Sequence, residues 1–154
     1  MRGYPVITSC AGDRYNAMTG SGGGFGTLIK KPVAWCVLRS DRYTLELMES
    51  SGFYTMSYFP EEYRDQVIYL GTNSGRDSKK MSELKLTVAR TPSGNISFEE
   101  SGLLIECRLV QSSTITPADF FEQRAKDYVR ESYESEHAYR KYVFGEILDI
   151  WLKR

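Results

Sequence analysis

Short apolar runs punctuated by Gly, Pro, Asn and Asp fill the amino-terminal two thirds of the chain, the pattern of a small barrel or sandwich with a few inserted helices. They predict strands over Val6–Cys10, Ala17–Thr19, Val33–Arg39, Phe53–Phe59, Leu86–Ala89, Ile96–Phe98 and Leu103–Val110. Three helices interrupt them. One covers Thr44–Ser50, with Thr44 as its N-cap and Gly52 past its end. Pro60 opens a second, with Glu61 and Glu62 beside the positive end of its dipole, and Gly71 stops it after Leu70. A third follows Asp77 through Lys80 and Met81 to Leu84. Thr116 ahead of Pro117 reads as a further N-cap, with Phe120, Phe121, Ala125, Tyr128 and Val129 at helical spacing. Residues 130–141, dense in charge and Tyr, fit either helix or loop. Val143 to Leu152 then returns to strand composition, so a terminal strand closing the sheet is expected.

With 154 residues, 41% of them hydrophobic and 13% aromatic, the sequence fits one globular domain over residues 1–154. Its 20 Lys and Arg balance 20 Asp and Glu, which leaves no basic stripe for nucleic acid or an anionic membrane. The longest apolar run, around Pro32 to Leu38, is far short of the about 20 residues that cross a hydrocarbon core. The amino terminus lacks a signal peptide's apolar stretch, so a cytoplasmic location is expected.

Cys10, Cys36 and Cys107 are odd in number, far apart and flanked by apolar residues, which predicts buried structural thiols. Any zinc site would need all three with His137, the single histidine, so no metal is expected. Hydrolysis by a Ser or Cys nucleophile would also have to recruit His137, and no GxSxG elbow is present. Glu99, Glu100 and Glu106 lie on or beside strands without a partner-acid pattern, which favours structural or interface roles.

Three polar constellations remain. Asn16 to Gly26 carries glycine at 20, 22, 23, 24 and 26, a flexible loop or a backbone cradle for a flat ring or a phosphate. It matches neither GxGxxG nor GxxxxGK. Arg39-Ser40-Asp41-Arg42-Tyr43-Thr44 falls where a strand gives way to a helix, and reads equally as a phosphate site or as a solvated loop with Asp41 paired to an arginine. Gly71 to Lys80 is a second polar loop leading into a helix, with Arg76 and Lys80 in reach of an anion. Two such loops in one small β-domain favour a shared phosphate-bearing ligand.

Taken together these residues resemble the flavin reductase-like family, the FMN-binding split barrels. The resemblance rests on Asn16-x-Met18-Thr19 followed by Gly-Gly-Phe-Gly, on Lys31-Pro32-Val33-Ala34, on Arg39-x-x-Arg42-Tyr43-Thr44, and on Ser74-Gly75-Arg76-Asp77 with Lys80. Phe98-Glu99-Glu100, Glu106-Cys107 and Gly145-Glu146-Ile147 continue it to the carboxyl end. It implies a mainly β fold with flanking helices, a six-stranded Greek-key split barrel, assembled as a homodimer around FMN. By the same resemblance Asn16, Met18, Thr19 and Ser21 face the isoalloxazine ring. Arg39, Arg42, Tyr43 and Thr44 hold the phosphate end, joined by Ser74, Arg76 and Lys80.

The implied activity is an NAD(P)H-dependent flavin reductase, moving hydride from NADH or NADPH to FMN with no catalytic side chain named. The alternatives are a flavoredoxin-like electron carrier serving an acceptor protein, and a barrel that has lost flavin. Departures from the family are Gly22, where many relatives carry Trp, Arg140, where many carry His, and an amino terminus shorter than in common relatives by roughly a helix.

Overall fold

In the computed structural model, which describes residues 3–77, 79–134 and 139–153, nine strands and three α-helices are found among the described residues. They follow the order β1 (Val6–Ala11), β2 (Arg14–Thr19), β3 (Gly23–Leu28), β4 (Lys31–Arg39), α1 (Tyr43–Ser51), β5 (Phe53–Tyr58), α2 (Arg64–Thr72), β6 (Val88–Arg90), β7 (Ile96–Phe98), β8 (Leu103–Thr114), α3 (Gln123–Val129) and β9 (Arg140–Leu152). Seven strands form one antiparallel sheet in the order β2-β1-β5-β8-β9-β4-β3, while β6 and β7 make a separate hairpin.

Alternation along β4 shows how the sheet buries one face: Ala34, Cys36 and Leu38 are buried, and Trp35 and Val37 between them are half-buried. Trp35 meets Tyr142 and Phe144 of the neighbouring β9 on the outer side. The buried face curls into a barrel. Tyr54 of β5 donates its hydroxyl to the carbonyl of Ala34 on β4 at 2.8 Å, although β8 and β9 lie between those strands in the sheet. The barrel is split, because β2 and β3 end the sheet as unpaired edges. Leu45 and Met48 of α1 join Ile7, Ala34, Cys36, Leu38, Tyr54 and Met56 in the interior, so the helix stoppers the barrel. On the other side of β1, Val6 packs with Ala17, Leu70, Leu86 and Phe98 under α2. Burial on both faces explains why residues 6–9 are buried without alternation.

Gly145 of β9 faces the barrel interior, where a Cβ would come within 2.5 Å of the Tyr54 hydroxyl. Only glycine leaves room for that tyrosine. Burial pushes the thiols of Cys36 and Cys107 up to about 12 and drives the Tyr54 phenol higher still, so these groups stay neutral. Cys10 is only half-buried, unlike the expected core thiol. Among the described residues no group of acids, Cys and His is placed to hold a metal, and His137 lies outside them. Nor is any described helix long and apolar enough to cross a membrane.

Several expectations need correction. Of the glycine cluster, Gly23, Gly24 and Gly26 belong to a strand, β3, paired to β4 from Gly23–Cys36 to Leu28–Lys31, while Gly20 and Gly22 lie in the bend before it, so the larger sheet has seven strands where six were expected. The N-cap position of α1 is Arg42, which makes no side-chain cap bond, and Thr44 lies inside the helix. Gly71 does not stop α2, which runs on to Thr72 with Gly71 packed against Thr19. Residues 79–82 form turns in place of the third helix, because the Asp77 carboxylate takes the Lys79 amide at 2.9 Å and competes with helical bonding. The hairpin strand β6 begins at Val88, two residues after Leu86. Thr116 caps only a 3₁₀ turn over Pro117–Asp119, and α3 starts later, at Gln123. The terminal strand β9 begins at Arg140, and α3 leads into a π-type turn over Arg130–Glu134.

Two of the three carboxylates, those of Glu100 and Glu106, have structural roles. Buried Glu106 accepts hydrogen bonds from Thr91 at 2.5 Å and Asn95 at 2.6 Å, which fasten the β6–β7 hairpin to β8. Glu100 accepts the backbone N–H of Thr87.

Candidate functional site

The start of α1 points into a small cavity between β2 and the loop that follows α2. Helix α1 begins directly after β4, and Arg42 at its N-cap is extended and offers no side-chain cap. The Leu45 N–H already reaches the Arg42 carbonyl at 3.0 Å, which leaves the N–H groups of Tyr43 and Thr44 without an intrahelical partner at the positive end of the helix dipole. Asn16 and Met18 of β2 form one wall of the cavity, Arg42, Tyr43 and Thr44 a second, and Ser74, Gly75, Arg76 and Lys80 a third. The cavity measures about 40 Å³, room for a few waters or a phosphate-sized group.

Two polar atoms in its walls are buried and unpartnered: the Nε of Arg42, a donor, and the Oδ1 of Asn16, an acceptor. Asn16 is 2% exposed, and its Nδ2 donates to the Thr44 hydroxyl at 2.7 Å, which fixes the amide. Orphaned buried groups cost of order 1–3 kcal/mol each, so a ligand supplying both an anionic acceptor and a hydroxyl or N–H donor is what the cavity matches.

Charge at the site is positive. Lys80 is 2% exposed, and its Nζ donates to the carbonyls of Ala17 at 2.8 Å and Leu70 at 2.9 Å. Burial first, and the Arg42 charge second, lower its pKa to about 8. Asp41 also lines the cavity, but Arg39 donates Nε and an Nη to it at 3.0 and 2.9 Å and holds its carboxyl below the usual range. Arg76 sits at the outer rim, paired with Glu46 at 3.1 Å and lying 5.4 Å above the Tyr43 ring.

The structure thus brings together Asn16, Met18, Arg42, Tyr43, Thr44, Ser74, Arg76 and Lys80. The other predicted residues are elsewhere. Arg39 does not line the cavity and acts on it by neutralising Asp41. Thr19 donates its hydroxyl to the Val67 carbonyl and ties β2 to α2. Ser21 lines a separate cavity of about 230 Å³ with Gly3, Tyr4, Gly22, Gly23 and Tyr58.

Sequence reasoning missed Asp41, Asn73 and Gly75 as lining residues, though all stand inside the polar runs it singled out. Gly75 is the informative one. Its Cα lies so close to Asn16 that a Cβ would overlap the side-chain amide. Gly75→Ala is expected to break the Asn16–Thr44 bond and cost about 1–2 kcal/mol of stability, read from urea midpoints. A midpoint equal to wild type would show that the loop yields instead.

Comparison with known proteins places the fold. The flavin reductase like domain matches residues 1–152, and the chain belongs to that family. No curated protein matches the sequence. The fold is similar to that of the FMN-binding protein from Thermus thermophilus with bound p-hydroxybenzaldehyde, at TM-score 0.73 and 17% identity over 98% of this chain and 72% of that one. It is similar to flavoredoxin of Desulfovibrio vulgaris (Miyazaki F), at 0.72 and 21% identity over 99% and 69%. Flavoredoxin from Methanosarcina acetivorans gives 0.74 and 16% identity over 99% and 69%.

Proposed function

We propose that the protein is an FMN-binding flavin reductase of the cytoplasm, a homodimer that takes hydride from NADH or NADPH. The observation that carries this reading is the unpartnered pair, Arg42 Nε and Asn16 Oδ1, in a phosphate-sized cavity at the uncapped start of α1. A phosphate flanked by ribityl hydroxyls supplies the acceptor for the first and a donor for the second. Arg42, Lys80 and the helix N–H groups would hold the phosphate charge, and Arg76 would reach it from the rim.

Because β2 is a sheet edge, its outward backbone groups from Asn16 to Thr19, apart from the Ala17 carbonyl that accepts from Lys80, would face the polar border of a ring. When bound, FMN would supply the ring that accepts the hydride. No side chain is assigned a proton transfer, since hydride transfer needs no protein acid or base. What the chain contributes is orientation and positive charge.

Arg140 favours a second reading, an electron carrier serving an acceptor protein. It stands where many relatives carry His, with its guanidinium 4.7 Å over the Tyr133 ring. Visible absorbance separates the readings: FMN is added to the purified protein, then NADH and NADPH without oxygen. A perturbed flavin spectrum that bleaches at a catalytic rate supports the reductase. Binding without bleaching points to the carrier, and an unperturbed spectrum overturns flavin binding altogether.

Lys80 gives the site a pH signature. Its lowered pKa, about 8, means that the amine is charged below that pH and neutral above it. FMN affinity is therefore expected to fall as pH rises through about 8. The folding stability of the free protein has the opposite trend. The unfolded chain keeps that proton up to the ordinary lysine value of 10.5, so stability rises with pH from about 8 toward 10.5. Titration of FMN against pH checks the first trend, and Lys80→Met should flatten it.

A further inference from the structure

Among the described residues Lys80 is the only buried lysine, and both partners of its Nζ are neutral: the carbonyls of Ala17 at 2.8 Å and Leu70 at 2.9 Å. Burial and the nearby Arg42 charge bring the amine down to about 8, so about a tenth of it is neutral at pH 7. A desolvated lysine beside another cation is a nucleophile in that form. The neutral nitrogen has two hydrogens, one for each carbonyl. Its lone pair then takes the remaining tetrahedral direction, away from both backbones, and the open space that Lys80 lines is the small cavity at the start of α1.

The walls of that cavity suit a carboxylate formed on this nitrogen. The Nε of Arg42 is buried with no acceptor, and the N–H groups of Tyr43 and Thr44 are unpaired at the helix start. A volume of about 40 Å³ admits a three-atom group. Of the other charged groups lining it, Asp41 is held by Arg39, and Arg76 is paired with Glu46. A modified nitrogen keeps one hydrogen, so either Ala17 or Leu70 gives up its donor, and the acceptor that Arg42 gains offsets this loss.

We propose that Lys80 is a carbamylation site, at which carbon dioxide adds to the side-chain amine inside the cavity. The nitrogen lone pair forms a bond to the carbon, the electrons of one C=O π bond move onto its oxygen, and the displaced N–H proton passes to water. Nothing is oxidised or reduced. The carbamate fills the space an inorganic phosphate would take, so carbon dioxide and phosphate exclude each other.

Trapping tests the site in the unaltered full chain. The protein is held at about pH 8 with and without bicarbonate, carbamates are fixed as ethyl esters with a trialkyloxonium salt, and peptide fragmentation separates Lys80 from its exposed neighbour Lys79. A bicarbonate-dependent ester at Lys80, well above that at Lys79, is expected. Esters confined to Lys79 and other exposed amines, or none at all, overturn the proposal.

Calorimetric titration with inorganic phosphate gives a second reading. Its apparent dissociation constant should rise at least about three-fold in bicarbonate, as when about two thirds of the protein is closed to it. Lys80→Arg keeps the charge, cannot form the carbamate, and should show equal constants. A rise that persists in Lys80→Arg marks bicarbonate as a competing free anion and overturns the covalent step. Should circular dichroism show Lys80→Arg unfolded, trapping in the unaltered protein decides. The outcome is separate from the flavin reading: an ester at Lys80 in a protein that binds no FMN leaves the carbamate standing and removes the flavin.

Discussion

Replacing Arg42 with alanine is expected to raise the dissociation constant for FMN by about ten-fold or more, the loss of about 1.5–3 kcal/mol that attends a missing charge-assisted hydrogen bond. Two features lie behind that expectation. Its Nε is buried without a partner in the free protein, so a bound phosphate oxygen gains a donor already stripped of water. It also occupies the N-cap of α1, which places its charge beside the positive end of the helix. Thr44→Ala acts by another route. It removes the hydroxyl that fixes the Asn16 amide at 2.7 Å, and a loss of more than about 1 kcal/mol in FMN affinity is expected. Fluorescence titration with FMN measures both, and unchanged affinity in the two variants together would remove the phosphate site from this cavity.

Gly145→Ala should give the largest change in stability, about 2–3 kcal/mol of destabilisation in urea unfolding. The new methyl group would stand within 2.5 Å of the Tyr54 hydroxyl, and Tyr54 cannot withdraw without giving up its 2.8 Å bond to Ala34 across the barrel. Overpacking at about 1–3 kcal/mol and a buried hydrogen bond at about 1 kcal/mol combine. Tyr54→Phe alone should cost about 1 kcal/mol, and Gly145→Ala should stay costly in that background, because the ring carbons Cε1 and Cζ would also lie 2.6 and 2.7 Å from the new methyl group. Tyr54→Leu removes those atoms and should lower the cost of Gly145→Ala, and an unchanged cost in that background would mean that Tyr54 is not the group Gly145 makes room for.

Legibility of the fold in the sequence followed local regularity. Strands with clear alternation or a continuous apolar run, such as Val33–Arg39 and Ile96–Phe98, were readable because burial decides them residue by residue. Strand β3 was not, since glycine carries no facing preference and its pairing with β4 is a tertiary fact. The turns at residues 79–82 were misread as helix for a related reason: Lys80, a good helix former, is drawn inward by the carbonyls of Ala17 and Leu70, which lie far from it in sequence.

At the site, the loops were visible as polar runs and the family resemblance ordered them. What could not be read was which side chains the fold would spend elsewhere. Thr19 is committed to Val67 and Arg39 to Asp41, and only the packing of α2 on β2 and the local geometry after β4 reveal that.

Helix α1 serves two masters. Leu45 and Met48 stopper the barrel from its inward side, while Arg42, Tyr43 and Thr44 at its beginning form a wall of the small cavity beside β2. Whatever grips that beginning also steadies the stopper, and a ligand present at a hundred times its dissociation constant adds about 2.7 kcal/mol to folding. Proteolytic turnover in the cell would then follow cofactor supply, with the empty protein cleared first and the loaded protein spared.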